Sequence, residues 1–173
     1  MPKIRRLEFL PAPDRLETPD DEVHVWRVDL DTVDSQGALR EILGRYLGLP
    51  ADEMRFETNR HGKPRLASPA GGPAFNLSHS GSLALVAVGR REVGVDVERI
   101  RAKRPVDFYR HWGDREARVK CLGTGLTGPV PPDAVEPAIH RLDVGPGYAA
   151  SVAVFGPVEL RGWTFGPHRS DKP

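Results

Sequence analysis

The stretch VGVDVE (93–98) alternates apolar residues with glycine and acids. In a strand successive side chains point to opposite faces, so Val93, Val95 and Val97 enter a core. Asp96 and Glu98 then share the other face, ~7 Å apart along the backbone. Two carboxylates on one strand face repel each other unless something positive lies between them. Hard oxygen ligands of this kind suit magnesium or calcium. Taken alone, such a pair is most often a solvated strand face. A second pattern, W-G-D-R-E-A-R-V-K (112–120), has helical spacing, with residues 112, 116 and 120 stacked on one face. Glu116 offers a third carboxylate and Lys120 a cation one turn on, while Trp112 can wall the site from water. Taken alone, this is a Glu–Lys pair worth roughly 0.2–0.5 kcal/mol beside a core Trp.

Two further motifs suit anions. FNLSHSG (75–81) crowds Asn76, Ser78, His79 and Ser80 at the end of an apolar segment, before a glycine. Amides and hydroxyls at such a turn cradle phosphate oxygens, and the His79 imidazole can donate to one. The same side chains could instead bond their own backbone. HGKP (61–64) is a tight turn that presents Lys63. Together the four motifs supply three acids for one divalent cation, and lysines, a histidine and hydroxyls for anionic oxygens. That is equipment for metal-assisted phosphoryl chemistry. No P-loop, G-x-S-x-G or H-E-x-x-H pattern occurs.

The elements that must position these residues follow from periodicity. Residues 23–30 alternate as a half-buried strand. Leu39, Ile42, Leu43, Tyr46 and Leu47 form one apolar stripe of a helix capped by Ser35 and stopped by Gly48 and Pro50. A short strand is expected over 54–58, a turn over 59–64 and a loop over 67–73. Strands 82–88 and 92–98 are expected to form a hairpin through residues 89–91. A helix follows over 107–122, ended by Gly123 and Gly125, then a linker over 127–133. Strands are expected at 135–142, 148–155 and 158–165, and a frayed tail at 166–173. Residues 81–89 (GSLALVAVG) resemble 147–156 (GYAASVAVFG), as in a duplicated chain. The expectation is α+β: two similar halves, 1–92 and 93–165, in one integrated unit.

The chain has 173 residues with 25 Lys plus Arg against 24 Asp plus Glu, a net charge of +1. That balance excludes the broad basic footprint of a non-specific nucleic-acid binder, so any anion site must be local. The single cysteine, Cys121, excludes an intrachain disulfide and a cysteine-based zinc cage, and fits a reducing compartment. No apolar run reaches the ~18 residues of a membrane helix. A cytoplasmic protein without membrane contact is expected. A duplicated chain has less need of a partner subunit, so a monomer is expected too.

In their order and spacing, HGKPRL, FNLSHSG, VGVDVE and W-x-x-x-E-x-x-x-K followed by GTGL resemble the 4′-phosphopantetheinyl transferases of the Sfp type. The resemblance runs over about 23–156. It implies a pseudo-dimer of two α+β halves with the active site at their junction. It implies that Asp96, Glu98 and Glu116 bind Mg²⁺, with Mn²⁺ as the alternative, and that Glu116 is the general base for a carrier-protein serine. Lys120 would neutralise the pyrophosphate of coenzyme A as 3′,5′-ADP leaves. Lys63 and Pro64 would line the nucleotide pocket, and Ser78 and His79 would contact coenzyme A phosphates. Trp112 would buttress the Glu116 helix, and Arg115 holds the position of a basic residue that usually precedes the motif glutamate. The implied function is transfer of phosphopantetheine from coenzyme A to an acyl or peptidyl carrier protein, as in fatty-acid, polyketide or nonribosomal-peptide synthesis. The competing reading is a non-catalytic coenzyme A or carrier-protein binding module of the same fold.

The resemblance is interrupted twice. Between residues 30 and 35 the family has a helical stretch with basic residues for the 3′-phosphate of coenzyme A. Between 101 and 108 it has a segment that helps receive the carrier protein. Both are missing. The chain is either a compact natural variant or a sequence with those segments left out. The match of both flanks up to the breaks favours the second.

Overall fold

The structure, a computed structural model, describes residues 3–18, 20–125 and 135–166. The elements are β1 (Ile4–Arg6), β2 (Phe9–Pro11), β3 (Glu22–Asp29), α1 (Ser35–Leu47), β4 (Arg55–Thr58), β5 (Pro64–Ser68), β6 (Ala74–Ser80), β7 (Leu83–Gly89), β8 (Val93–Arg99), α2 (Val106–Leu122), β9 (Ala138–Asp143), β10 (Tyr148–Val154) and β11 (Glu159–Phe165). The expected linker at 127–133 and all but the first residue of the expected tail lie outside the described residues.

The architecture is α+β with mixed sheets. One sheet has the order β1-β9-β10-β8, a second has β2-β11-β3-β7-β6, and β4 and β5 pair separately. Period-2 alternation decides how the larger sheets meet. Val93, Val95 and Val97 of β8 share a buried layer with Val25, Leu85 and Val152, so the two sheets stack through their apolar faces. The opposite face of the five-stranded sheet carries α1, where Leu39, Ile42 and Leu43 pack on Trp26, Val28 and Val86. The opposite face of the four-stranded sheet carries α2, through Ala117 and Cys121 on Ala153. No described helix is long and apolar enough to cross a membrane.

The strand–helix–strand–strand run β3, α1, β6, β7 gives the order β3-β7-β6, and the run β8, α2, β9, β10 gives β8-β10-β9, with all these pairings antiparallel. Strands are also traded between the runs. β11 lies parallel to β3, and β1 lies parallel to β9.

Several expectations need correction. Residues 82–88 and 92–98 do form strands, but not a hairpin: β7 pairs with β3 and β6, whereas β8 pairs with β10 in the other sheet. The chain changes sheets at residues 90–92. FNLSHS is not a turn but strand β6, and residues 64–68, half read as loop, are strand β5. The α1 cap is Asp34, whose side chain accepts from the Gly37 N–H, rather than Ser35. Gly48 ends α1 in the left-handed region at φ 65°, as glycine does at this position. The two abbreviated connections are closed by tight turns. Asp31 N–H donates to Asp29 Oδ1 at 3.0 Å, and Arg104 N–H to the Arg101 carbonyl at 3.3 Å.

The face of β8 that carries the acids lies under α2, and Gly94 sets how closely. A methyl group there would overlap the backbone of Ala117 and Cys121, so helix and strand touch main chain to main chain. Gly94→Ala is expected to push α2 off the sheet and cost on the order of 3 kcal/mol, read as a lower urea midpoint with an unchanged slope.

Candidate active site

The β8 register brings a row of polar groups under α2. Arg141 on β9, Ser151 on β10 and Asp96 on β8 stand opposite one another, and all three are buried. A helix laid over such a row must satisfy it, and α2 does so with two ion pairs of opposite sense. Asp114 accepts from Arg141 Nε at 3.0 Å and Nη2 at 2.8 Å, and from Ser151 Oγ at 2.6 Å. Lys120 Nζ donates to Asp96 Oδ1 at 2.6 Å, to Ser78 Oγ at 3.2 Å and to the Val95 carbonyl at 3.2 Å. Ser78 Oγ donates to the same Asp96 oxygen at 3.0 Å.

Asp96 Oδ1 is therefore doubly bonded, while Asp96 Oδ2 is buried with no hydrogen-bond partner. Glu116 Oε1 is in the same condition. The carboxylates sense one another. Burial pushes the Glu116 carboxyl above its ordinary value and Asp96 adds to the rise, against Lys120 and Arg115. Burial likewise raises Glu98, helped by Asp96 and Glu116 and opposed by Lys120 and a hydrogen bond from Trp112. As the side chains stand, no three His, Cys, Asp or Glu residues among those described sit close enough to hold a metal ion together. The set nonetheless suits one. Three carboxylates and one ammonium leave two negative charges, and two carboxylate oxygens face no donor.

Glu116 and Lys120 open onto a cleft of about 260 Å³ whose other walls include Lys63, Pro64 and Asn76. Three of the four motifs thus meet at one surface. Asn59 makes the meeting possible. Its Oδ1 accepts from the N–H groups of His61 and Lys63, and its Nδ2 donates to the Gly123 carbonyl at 3.0 Å, tying the HGKP turn to the end of α2. Lys63 Nζ is anchored by Glu92 at 2.6 Å and the Val93 carbonyl at 3.1 Å.

Other expected site residues stand elsewhere. His79 and Arg115 are exposed and do not line that cleft, and Ser78 is buried behind its wall. Trp112 stacks on Phe108 with ring centroids 6.4 Å apart and also reaches Glu98. Asp96, on the face of β8 opposite the core valines, is only 3% exposed because α2 covers it. The buried Cys121 thiol, pushed up to about 12, is no nucleophile at neutral pH. Sequence reading missed the Asp114–Arg141–Ser151 clamp. Its only signal was a lone arginine and a lone serine at inward positions of strands.

No family model matches the chain. Among characterised proteins, it is 30% identical to the 4′-phosphopantetheinyl transferase HetI of Nostoc, over 68% of this chain and 76% of HetI. It is 26% identical to the 4′-phosphopantetheinyl transferase Sfp of Bacillus subtilis, over 69% of this chain and 71% of Sfp. It is 25% identical to the mouse L-aminoadipate-semialdehyde dehydrogenase-phosphopantetheinyl transferase, over 78% of this chain and 55% of that protein. The HetI alignment runs over 179 positions, more than this chain's 173 residues, and so spans residues that have no counterpart here.

Proposed function

Because the chain belongs to the 4′-phosphopantetheinyl transferases, we propose that it moves the 4′-phosphopantetheine group of coenzyme A onto a serine of an acyl or peptidyl carrier protein and releases 3′,5′-ADP. We read the fold as a pseudo-dimer, 1–92 and 93–165, with the active site at the junction, and the protein as a cytoplasmic monomer. The equal strand orders of the two runs support the duplication.

Asp96, Glu98 and Glu116 are the residues that would hold Mg²⁺, which when bound withdraws charge from the pyrophosphate. The net double negative charge and the partnerless oxygens of Asp96 and Glu116 support that assignment. A serine hydroxyl is a poor nucleophile near neutrality, so a positioned base is needed. Glu116 serves as that base: its partnerless carboxylate oxygen can take the hydroxyl proton as the serine oxygen bonds to phosphorus and 3′,5′-ADP leaves. Lys120, whose side chain borders the cleft, is the cation that would neutralise the pyrophosphate as 3′,5′-ADP leaves. Lys63 and Pro64 line the nucleotide's part of the cleft. His79 is free at the surface for a coenzyme A phosphate.

The observation that carries this reading is the pairing of an unbonded Glu116 oxygen with the Asp96–Lys120 contact beside the cleft shared with Lys63. Incubation with an apo carrier protein, coenzyme A and Mg²⁺ should raise the carrier's intact mass by one phosphopantetheine, and a chelator should prevent it. Coenzyme A binding without any mass change would make the chain a binding module. Release of free phosphopantetheine with no carrier present would make it a hydrolase.

A further inference from the structure

At its centre, the contact between α2 and its sheet is made of small residues: Gly113 and Ala117 on the helix, Gly94 on β8, Ser151 and Ala153 on β10. Packed helices are ordinarily fixed in angle by ridges of side chains set into the grooves of the facing surface. Side chains this short set the separation of helix and sheet but leave the roll of the helix weakly defined. The two ion pairs supply what the packing lacks. Asp114 is tied to β9 and β10 through Arg141 and Ser151, and Lys120 is tied to β8 through Asp96. Six residues separate Asp114 from Lys120, about 9 Å along a helix axis. Glu116 lies between the two ties.

Asp114 and Glu116 point to opposite flanks of the helix, about 160° apart around its axis. Holding one flank down therefore sets the height of the other. A helix with its side chains is about 10–12 Å across, so a roll of about 10° carries a carboxylate about 1 Å. Misplacement of that size can cost about 100-fold in rate. The Arg141 side chain suits the task. Its Nε and Nη2 both donate to Asp114 Oδ2, at 3.0 and 2.8 Å, while Ser151 Oγ donates to Asp114 Oδ1 at 2.6 Å. A two-pronged contact fixes direction as well as distance. Stability does not call for it, because a buried ion pair is often no more stable than an apolar pair of similar volume. We propose that Arg141 and Asp114 are positioning residues: they set the roll of α2 that aims the Glu116 carboxylate at the cation site.

The inference rests on the transferase reading, and its test separates the two. The double variant Asp114→Leu/Arg141→Met removes both charges and keeps the bulk. It is expected to melt at or above the parent temperature, yet to lower kcat for carrier loading by about 10- to 100-fold. KM for coenzyme A should stay within about twofold, because Asn59 ties the turn bearing Lys63 and Pro64 to the far end of α2, beyond Lys120. Placed on Glu116→Gln, the same pair of substitutions should lower loading no further, since groups acting through one another are not additive. Crystal structures of parent and double variant, superposed on β8, should show the Glu116 carboxylate displaced by about 1 Å or more. A folded double variant with parent kcat would overturn the proposal. So would a KM that rises as much as kcat falls, a full further loss on Glu116→Gln, or an unmoved Glu116. Should the double variant not fold, Arg141→Lys, which keeps the charge and gives up the two-pronged grip, is put through the same measurements, with a fall of about tenfold in kcat expected and a parent value overturning the proposal. If the parent protein loads no carrier, the functional reading falls, and the superposed structures still judge whether the pair positions Glu116.

Discussion

Glu116→Gln is expected to lower carrier loading by about 10³-fold while the protein stays folded. The amide keeps the shape of the carboxylate but cannot take a proton, so the serine hydroxyl goes unassisted. It also removes one of the three negative charges around the site. Asp96→Ala is a poorer test. Asp96 is buried against Lys120 and Ser78, so its removal disturbs packing as well as chemistry. Stability should distinguish the effects. In the folded protein Glu116 titrates above its ordinary value of 4.5. Such a group contributes stability that is fully present below 4.5 and lost as pH rises through the folded-state value. At neutral pH the charged Glu116 therefore opposes folding. Glu116→Gln should raise the melting temperature at pH 7 in metal-free buffer, and the gain should vanish on acidification. An active Glu116→Gln protein would remove Glu116 from the base role. A melting temperature that falls at pH 7 would show that Glu116 is structural.

Val95→Asp is expected to abolish stable folding. Val95 is fully buried between the sheets, opposite Val152 on β10. Its N–H and carbonyl are already used by Asn76 and Lys120. A carboxylate there enters a cluster of apolar side chains that includes no cation among the described residues. An uncompensated buried charge costs several kcal/mol, about as much as a domain's whole stability. Circular dichroism should show loss of the cooperative melt. A conservative Val95→Ile, by comparison, should cost about 1–3 kcal/mol through overpacking. An unchanged melt for Val95→Asp would mean that β8 presents the opposite face to the core, and the acids could not then meet α2.

How much of this was legible in the sequence depended on periodicity. β8 and α2 were readable because valines every second residue, and Trp112, Glu116 and Lys120 every fourth, each declare a face. α1 was readable for the same reason. β6 was not, because its inward residues Asn76 and Ser78 are polar, and hydropathy alternation looks for apolar ones. Those polar residues face inward to serve the neighbouring edge β8, and that partner lies in another sheet. The hairpin error has the same origin. β7 and β8 are adjacent in sequence and both rich in valine, which says nothing about which edges pair. β1 and β2, with three residues each, are too short to carry any pattern. The burial of Asp96 was not legible because the absence of a Cβ at Gly94, which lets α2 settle over it, acts through space and not along the chain.

The exchange of strands between the two sheets has a further meaning for the working molecule. β11 enters from the C-terminal stretch to flank β3, and β1 enters from the N-terminal stretch to flank β9. Each sheet thus holds a guest from the opposite end of the polypeptide, β11 between β2 and β3 and β1 at the edge beyond β9, while Ser78 and Asp96 come from different sheets. Neither layer can loosen alone without exposing its guest's backbone and parting the two residues that face each other beside the cleft. The candidate site and the integrity of the whole polypeptide are lost together.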